Sequence, residues 1–122
     1  MRKTRANDEA VLENAVLDLF SGAGMFVRQQ VPCPAGRADL VTKNAIFELK
    51  AYLNRRSLHQ AIGQLTLYRP HLNPSAELVV VCIKSSVRGL HERAREAGVE
   101  VLEWPDIKRN PGVILCNPPY RS

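Results

Sequence analysis

Asp39, Glu48 and Lys50 are the residues whose types and spacing could do chemistry. They stand on two short β-rich runs, residues 37–42 and 45–50, joined by the turn-forming pair Lys43-Asn44. A two-residue turn there pairs Thr42 with Ala45 and, counted outward, sets Asp39 opposite Glu48. Opposed residues of an antiparallel pair share a face with Cβ atoms about 4.5 to 5.5 Å apart, and like charges so placed repel. Lys50, two residues beyond Glu48, falls on the same face by the strand period of two, while Phe47 and Leu49 turn to the core. Two carboxylates and an ammonium thus converge. Paired carboxylate oxygens suit Mg²⁺ or Mn²⁺, and a cation between them turns repulsion into attraction while keeping sites for water and phosphate. With an ammonium beside such a centre, the implied reaction is hydrolysis of a phosphodiester. The same three residues also read as a solvated ion pair on a polar strand face, since Glu-x-Lys is frequent by chance.

The elements that must position these groups follow from periodicity and turn chemistry. Residues 8–21 place Val11, Leu12, Ala15, Val16, Leu19 and Phe20 on a stripe of helical period. Asn7 is the candidate N-cap, Asp8 and Glu9 occupy the favourable first turn, and Gly22 and Gly24 end the helix. Runs at 25–31, 37–42 and 45–50 predict an antiparallel meander, the first two separated by Pro32-Cys33-Pro34-Ala35-Gly36. Ser57 with Gln60 three residues on has a capping-box pattern and predicts a second helix that ends at Tyr68-Arg69, before Pro70. Its Leu58, Ala61, Ile62 and Leu65 form the apolar face. Gln60, Gln64 and Tyr68 form a polar stripe opposite it, a pattern that an ordinary solvated helix surface also produces.

Residues 77–84 form an apolar run flanked by charge, which suits a strand buried on both faces. A polar helix over 86–97 closed by Gly98, a strand over 99–104 and a last short strand over 113–116 complete the chain. The order α-β-β-β-α-β-α-β, with a right-handed crossover between 45 and 84, predicts a single α/β domain over residues 1–122. Its architecture is a three-layer α/β/α stack around a mixed sheet.

Composition narrows the setting. The 122 residues, 45% apolar and 24% charged, are enough for a core without disulfide staples. The longest apolar run, residues 78–83, is far short of the ~20 residues that span a bilayer, and the N-terminal stretch lacks a signal-peptide apolar region; a soluble cytoplasmic protein is expected. Cys33, Cys82 and Cys116 are an odd set without Cys-x-x-Cys spacing and read as reduced and inert. His59, His71 and His91 lack metal-ligand spacing, and Tyr52 and Trp104 read as packing residues. The net charge of +5 makes a polyanionic partner a candidate, because Arg suits phosphate with its planar fork. Arg2, Lys3, Arg5, Arg28, Arg37, Arg55 and Arg56 flank the proposed site in sequence order and as a set could track a phosphate backbone.

On these residues the sequence resembles the PD-(D/E)xK nuclease superfamily, whose restriction-endonuclease-like core is an αβββαβ unit with an acid on the second strand and Glu-x-Lys on the third. The resemblance covers residue 8 to about residue 83. It implies that Asp39 in Arg37-Ala38-Asp39-Leu40 and Glu48 in Phe47-Glu48-Leu49-Lys50 are metal ligands and that Lys50 is the catalytic lysine. Glu13 resembles the additional metal-site acid that Holliday-junction resolvases and exonucleases of the superfamily carry on the first helix, and Gln64-Leu-Thr-Leu-Tyr68 resembles the Gln-x-x-x-Tyr motif of RecB-type nucleases. Ala38 stands where the motif's name has Pro, and three cysteines cannot supply the four that a cluster-bearing relative uses. The expectation is a Mg²⁺- or Mn²⁺-dependent deoxyribonuclease with DNA as partner, and the small footprint of one domain makes a homodimer a reasonable arrangement. The rival readings are a non-catalytic nucleic-acid-binding module and an accessory subunit with the same fold.

Overall fold

The computed structural model describes residues 5–85 and 89–115. Helix α1 (Arg5–Gly22) leads into β1 (Arg28–Cys33), β2 (Gly36–Val41) and β3 (Ala45–Leu53). Helix α2 (Arg55–Leu72), β4 (Glu77–Ser85), α3 (Leu90–Glu96), β5 (Val99–Glu103), α4 (Trp104–Arg109) and α5 (Gly112–Leu115) follow. The five strands form one sheet in the order β1-β2-β3-β4-β5. Its first two junctions are antiparallel and its last two parallel, so the sheet is mixed. No helix among the described residues is long and apolar enough to cross a membrane.

Two cores, one on each face of the sheet, account for the three layers. On one face Leu12, Val16 and Phe20 of α1 pack with Leu40, Phe47, Leu49, Val79 and Val81, joined by Ile107 of α4 and Ile114 of α5. Phe20 and Phe47 meet edge to face with ring centroids 5.6 Å apart, a geometry worth about 1 kcal/mol beyond its buried area. On the other face Leu58, Ala61, Leu65 and Tyr68 of α2 and Leu90 and Ala94 of α3 pack on Ile46, Leu78, Val80, Val99 and Val101. Strand β4 is therefore covered on both sides, which is why residues 78–82 are all buried and apolar with no alternation. Val11 falls outside the stripe and is 59% exposed, because the helix seats its i, i+4, i+8 ridge, Leu12, Val16 and Phe20, against the sheet.

Several boundaries differ from expectation, each for a local reason. The first strand starts at Arg28 rather than residue 25 and runs through Pro32, which an edge strand tolerates because its N–H side faces outward. The cap of α2 is Asn54, whose Oδ1 accepts from Ser57 N–H at 2.8 Å while Ser57 Oγ accepts from Asn54 N–H at 2.9 Å. Ser57 is thus the third helical residue of the box, and Gln60 has no part in it. Pro70 lies inside α2; so close to the C-terminus its missing N–H removes only one bond, and the helix continues to Leu72 with Asn73 N–H capping Arg69 O at 3.0 Å. The polar helix runs over Leu90–Glu96, residues 86–88 lying outside the described residues. Gly98 ends it with φ of 78°. The strand expected over 113–116 is replaced by the single turn of α5, which seats Ile114 in the α1-side core; Cys116 lies outside the described residues, as do Arg2 and Lys3.

Because the Asn54 box satisfies two of the helix's first N–H groups, Asn54→Ala should lower stability by about 1 kcal/mol, measured as a shift in the denaturant midpoint at unchanged slope.

Candidate active site

The β2–β3 hairpin has the register that a Lys43-Asn44 turn dictates. Leu40 pairs with Phe47 and Val41 with Ile46, and Thr42 N–H donates to Ala45 O at 2.9 Å. The turn is held from outside, with Asn73 Nδ2 donating to Lys43 O at 3.1 Å and Glu77 N–H to Asn44 O at 2.8 Å. Backbone pairing stops at Leu40, and the next step is made by side chains. Asp39 Oδ2 accepts from Leu49 N–H at 2.8 Å, taking the place of a ladder carbonyl, and the Glu48 carboxylate accepts from Asp39 N–H. The two acids therefore exchange hydrogen bonds with each other's strand. Each carboxylate is placed by the backbone of the element that carries the other.

Glu48 is buried to 4% exposure, not displayed on a solvated strand face. The reason is α2, which covers the side of β3 that carries Ile46 and Glu48. Burial, then the neighbouring Asp39 charge, raises the Glu48 pKa to about 8, with Lys50 and the Asp39 N–H opposing and Glu9 of α1 adding to the rise. Asp39 is raised as well, by burial first, against the Leu49 N–H, the Lys50 charge, a Gln30 hydrogen bond and the Arg37 charge. Glu48 Oε1 is buried with no hydrogen-bond partner among the described residues. Half-buried Lys50 makes no salt bridge with either acid among the described residues, yet its charge acts on both.

The other expected residues divide. Tyr68 is buried in the α2-side core instead of lying on a stripe opposite it. Four residues of helix turn through about 400°, so a stripe at i, i+4, i+8 drifts by about 40° per step. That drift carries it from exposed Gln60 through half-buried Gln64 to buried Tyr68. The Gln64 Oε1 is buried without a partner among the described residues. The Tyr68 hydroxyl accepts from Arg37 N–H, and its pKa is raised by burial and by the Glu48 charge. A Cβ on Gly36 would lie 3.3 Å from the Tyr68 ring, and Gly36 has φ of 140°; both facts require glycine where β2 begins. Arg28 and Arg37 sit exposed towards opposite ends of the β1–β2 hairpin, and the Arg37 charge acts on Asp39. Arg55 and Arg56 are exposed in the first turn of α2, just beyond the end of β3.

Glu13 does not join Asp39 and Glu48 in a three-acid cluster; among the described residues no three His, Cys, Asp or Glu side chains are placed to hold a metal ion. Both oxygens of Glu13 instead accept from Gln30 Nε2, at 3.2 Å each. Gln30 went unmarked in the sequence, where a glutamine within a strand carries no signal. The same holds for the hydrogen bond from the Tyr52 hydroxyl to Asp8 Oδ2, 2.9 Å, which ties the start of α1 to the end of β3. His91 pairs with Glu103 at 2.9 Å.

A solved structure similar to this chain is that of a repair endonuclease from Pyrococcus abyssi, with a TM-score of 0.59 and 16% identity over 84% of this chain and 47% of that one. The two share a fold. This chain thus spans less than half the length of that enzyme chain. No protein-family model and no curated protein sequence matches it.

The pH dependence of the metal-free protein follows from Glu48. Its folded pKa of about 8 lies above the ordinary 4.5, so between these values the folded state holds a proton that the unfolded state has lost. Stability from this group is full below pH 4.5 and declines as pH rises to about 8. Melting in EDTA across this range should show that decline in the parent and a flatter profile in Glu48→Gln, which at pH 8.5 should melt at or above the parent.

Proposed function

We propose that this chain is a divalent-metal-dependent nuclease that hydrolyses DNA phosphodiester bonds. The observation that carries the reading is the buried Asp39–Glu48 pair, whose mutual repulsion, with a Glu48 Oε1 that has no partner among the described residues, calls for a cation. The donor set fits a hard ion: two carboxylates, both anchored by backbone N–H groups, with oxygen to spare. Asp39 and Glu48 would hold it. Mg²⁺ or Mn²⁺ bound there supplies Lewis acidity towards a phosphate oxygen and acidifies a water.

The chain's own residues do the rest. Asp39 and Glu48 stay rigid because each is fixed by the opposing strand, which keeps the oxygens in place without reorganisation during the reaction. Lys50, whose charge already reaches both acids, orients the attacking water and neutralises charge that develops on the phosphate. Tyr68 holds the start of β2 through Arg37 N–H, and Gln64 offers an unused carbonyl oxygen. Arg37, Arg55 and Arg56 supply exposed guanidinium groups for the phosphate backbone. The likeness to a repair endonuclease supports internal cleavage of DNA.

The test is a cleavage assay on linear, circular and four-way-junction DNA with Mg²⁺, Mn²⁺ or EDTA. Nicking of circular DNA that EDTA abolishes is the expected result; binding without cleavage under every condition would leave a nucleic-acid-binding module instead. Lys50→Ala should reduce the rate at least a hundredfold, while melting temperature and DNA affinity stay near the parent's, because its charge acts mainly in the transition state. Gln64→Ala and Tyr68→Phe should reduce cleavage less than Asp39→Ala does, since neither residue holds the metal.

A further inference from the structure

Gln30 is the one non-glycine residue among the described residues with a left-handed backbone, φ of 51°. Long side chains rarely adopt that conformation, and where they do the surrounding contacts must stabilise it. Here the β1–β2 register runs regularly on both sides, Gln29 with Leu40 and Val31 with Ala38, and skips the step at which Gln30 would face Asp39. Ala38 packs in the α2-side core and Leu40 in the α1-side core, so β2 changes face at Asp39. The break in the ladder thus coincides with the acid.

The break releases the Gln30 side chain towards two carboxylates. Its Nε2 donates to both oxygens of Glu13 on α1 at 3.2 Å, and the same amide acts on Asp39, favouring its charged form. A primary amide carries two N–H donors and no charge, so it can serve two acids at once where a second acid could not. Asp39 is then held by Leu49 N–H on β3, while on β1 the Gln30 amide faces the gap in the ladder and favours its charge.

We propose that Gln30 is a positioning residue of the site: its amide, delivered by a left-handed step in β1, transmits the hold of Glu13 on α1 to the Asp39 carboxylate, and Glu13 acts through Gln30 instead of binding the cation itself. This rests on the metal-dependent reading above. Partners that orient a metal-binding group change metal affinity 10- to 100-fold when removed, and Gln30 stands in that relation to Asp39.

The decisive comparison uses Gln30→Gly, which adopts φ of 51° without strain and lacks only the side chain, and Gln30→Asn, which keeps an amide and tolerates the left-handed region. Mn²⁺ uptake by the full chain is followed from the electron paramagnetic resonance signal of free Mn²⁺, and melting in EDTA reports the fold. Gln30→Gly should melt at or above the parent in EDTA yet bind Mn²⁺ about tenfold more weakly, with Gln30→Asn in between. In the metal-free parent, the Gln30 side-chain NH₂ resonances should move on Glu13→Gln and on Asp39→Asn, which a residue that merely turns the chain would not do. A Gln30→Gly protein that binds Mn²⁺ as the parent does, or resonances that ignore either acid, overturns the positioning role while leaving the nuclease reading intact. A parent that takes up no Mn²⁺ overturns that reading and this one with it.

Discussion

Two carboxylates cannot be taken out of water side by side unless something compensates them, and Asp39 and Glu48 are arranged around that constraint. Desolvation is the leading cause of the upward shift at both, and for Glu48 the Asp39 charge is the next. The protein compensates in part with hydrogen bonds. Leu49 N–H serves Asp39, Asp39 N–H favours the Glu48 charge, and Gln30 serves Glu13 and favours the Asp39 charge. Compensation stops short at Glu48 Oε1, which has no partner among the described residues. Buried polar atoms are satisfied in the large majority of cases, so an exception beside a second acid points to a group that completes it.

The surrounding elements can be understood as the supports of this pair. Helix α2 creates the burial, because its Leu58, Ala61 and Leu65 need the sheet face on which Glu48 also lies. At its other end the Tyr68 hydroxyl takes Arg37 N–H and the ring rests over Gly36, so the same helix fixes the strand that carries Asp39. Helix α1, seated by Leu12, Val16 and Phe20, brings Glu9 and Glu13 to the other side. Its first turn is tied to β3 through Asp8 and Tyr52. The two helical layers, which hold the sheet between separate cores, thus meet again at one acid pair.

A side chain takes over from the backbone at a second level too. In an undisturbed antiparallel ladder the N–H of Leu49 would find a carbonyl; here it finds the Asp39 carboxylate. The strands separate there, β2 changes face between Ala38 and Leu40, and β1 answers with the left-handed Gln30. Irregularity next to functional groups re-aims side chains that a regular ladder would hold in alternation. The similarity in fold to a repair endonuclease, at 16% identity, extends to the architecture and leaves the chemistry to these particular residues.

Local pattern alone determined the α/β class, the order of the principal elements and the hairpin register that brings Asp39 to Glu48, because a two-residue turn and a period of two leave one way to count. It determined β4 as a doubly buried strand for the same reason, since an unbroken run of Leu78 to Val81 has no polar side to expose. Periodicity reports the repeat of a backbone and is silent on what covers each face. The burial of Glu48 beneath α2, the drift of Tyr68 into the core and the single helical turn in place of a strand after residue 111 therefore belonged to tertiary packing. Gln30 is the clearest case: neither its residue type nor its neighbours call for a left-handed backbone, and only the folded chain brings Glu13, 17 positions away, to its amide and sets its place in β1 beside Asp39, nine positions away.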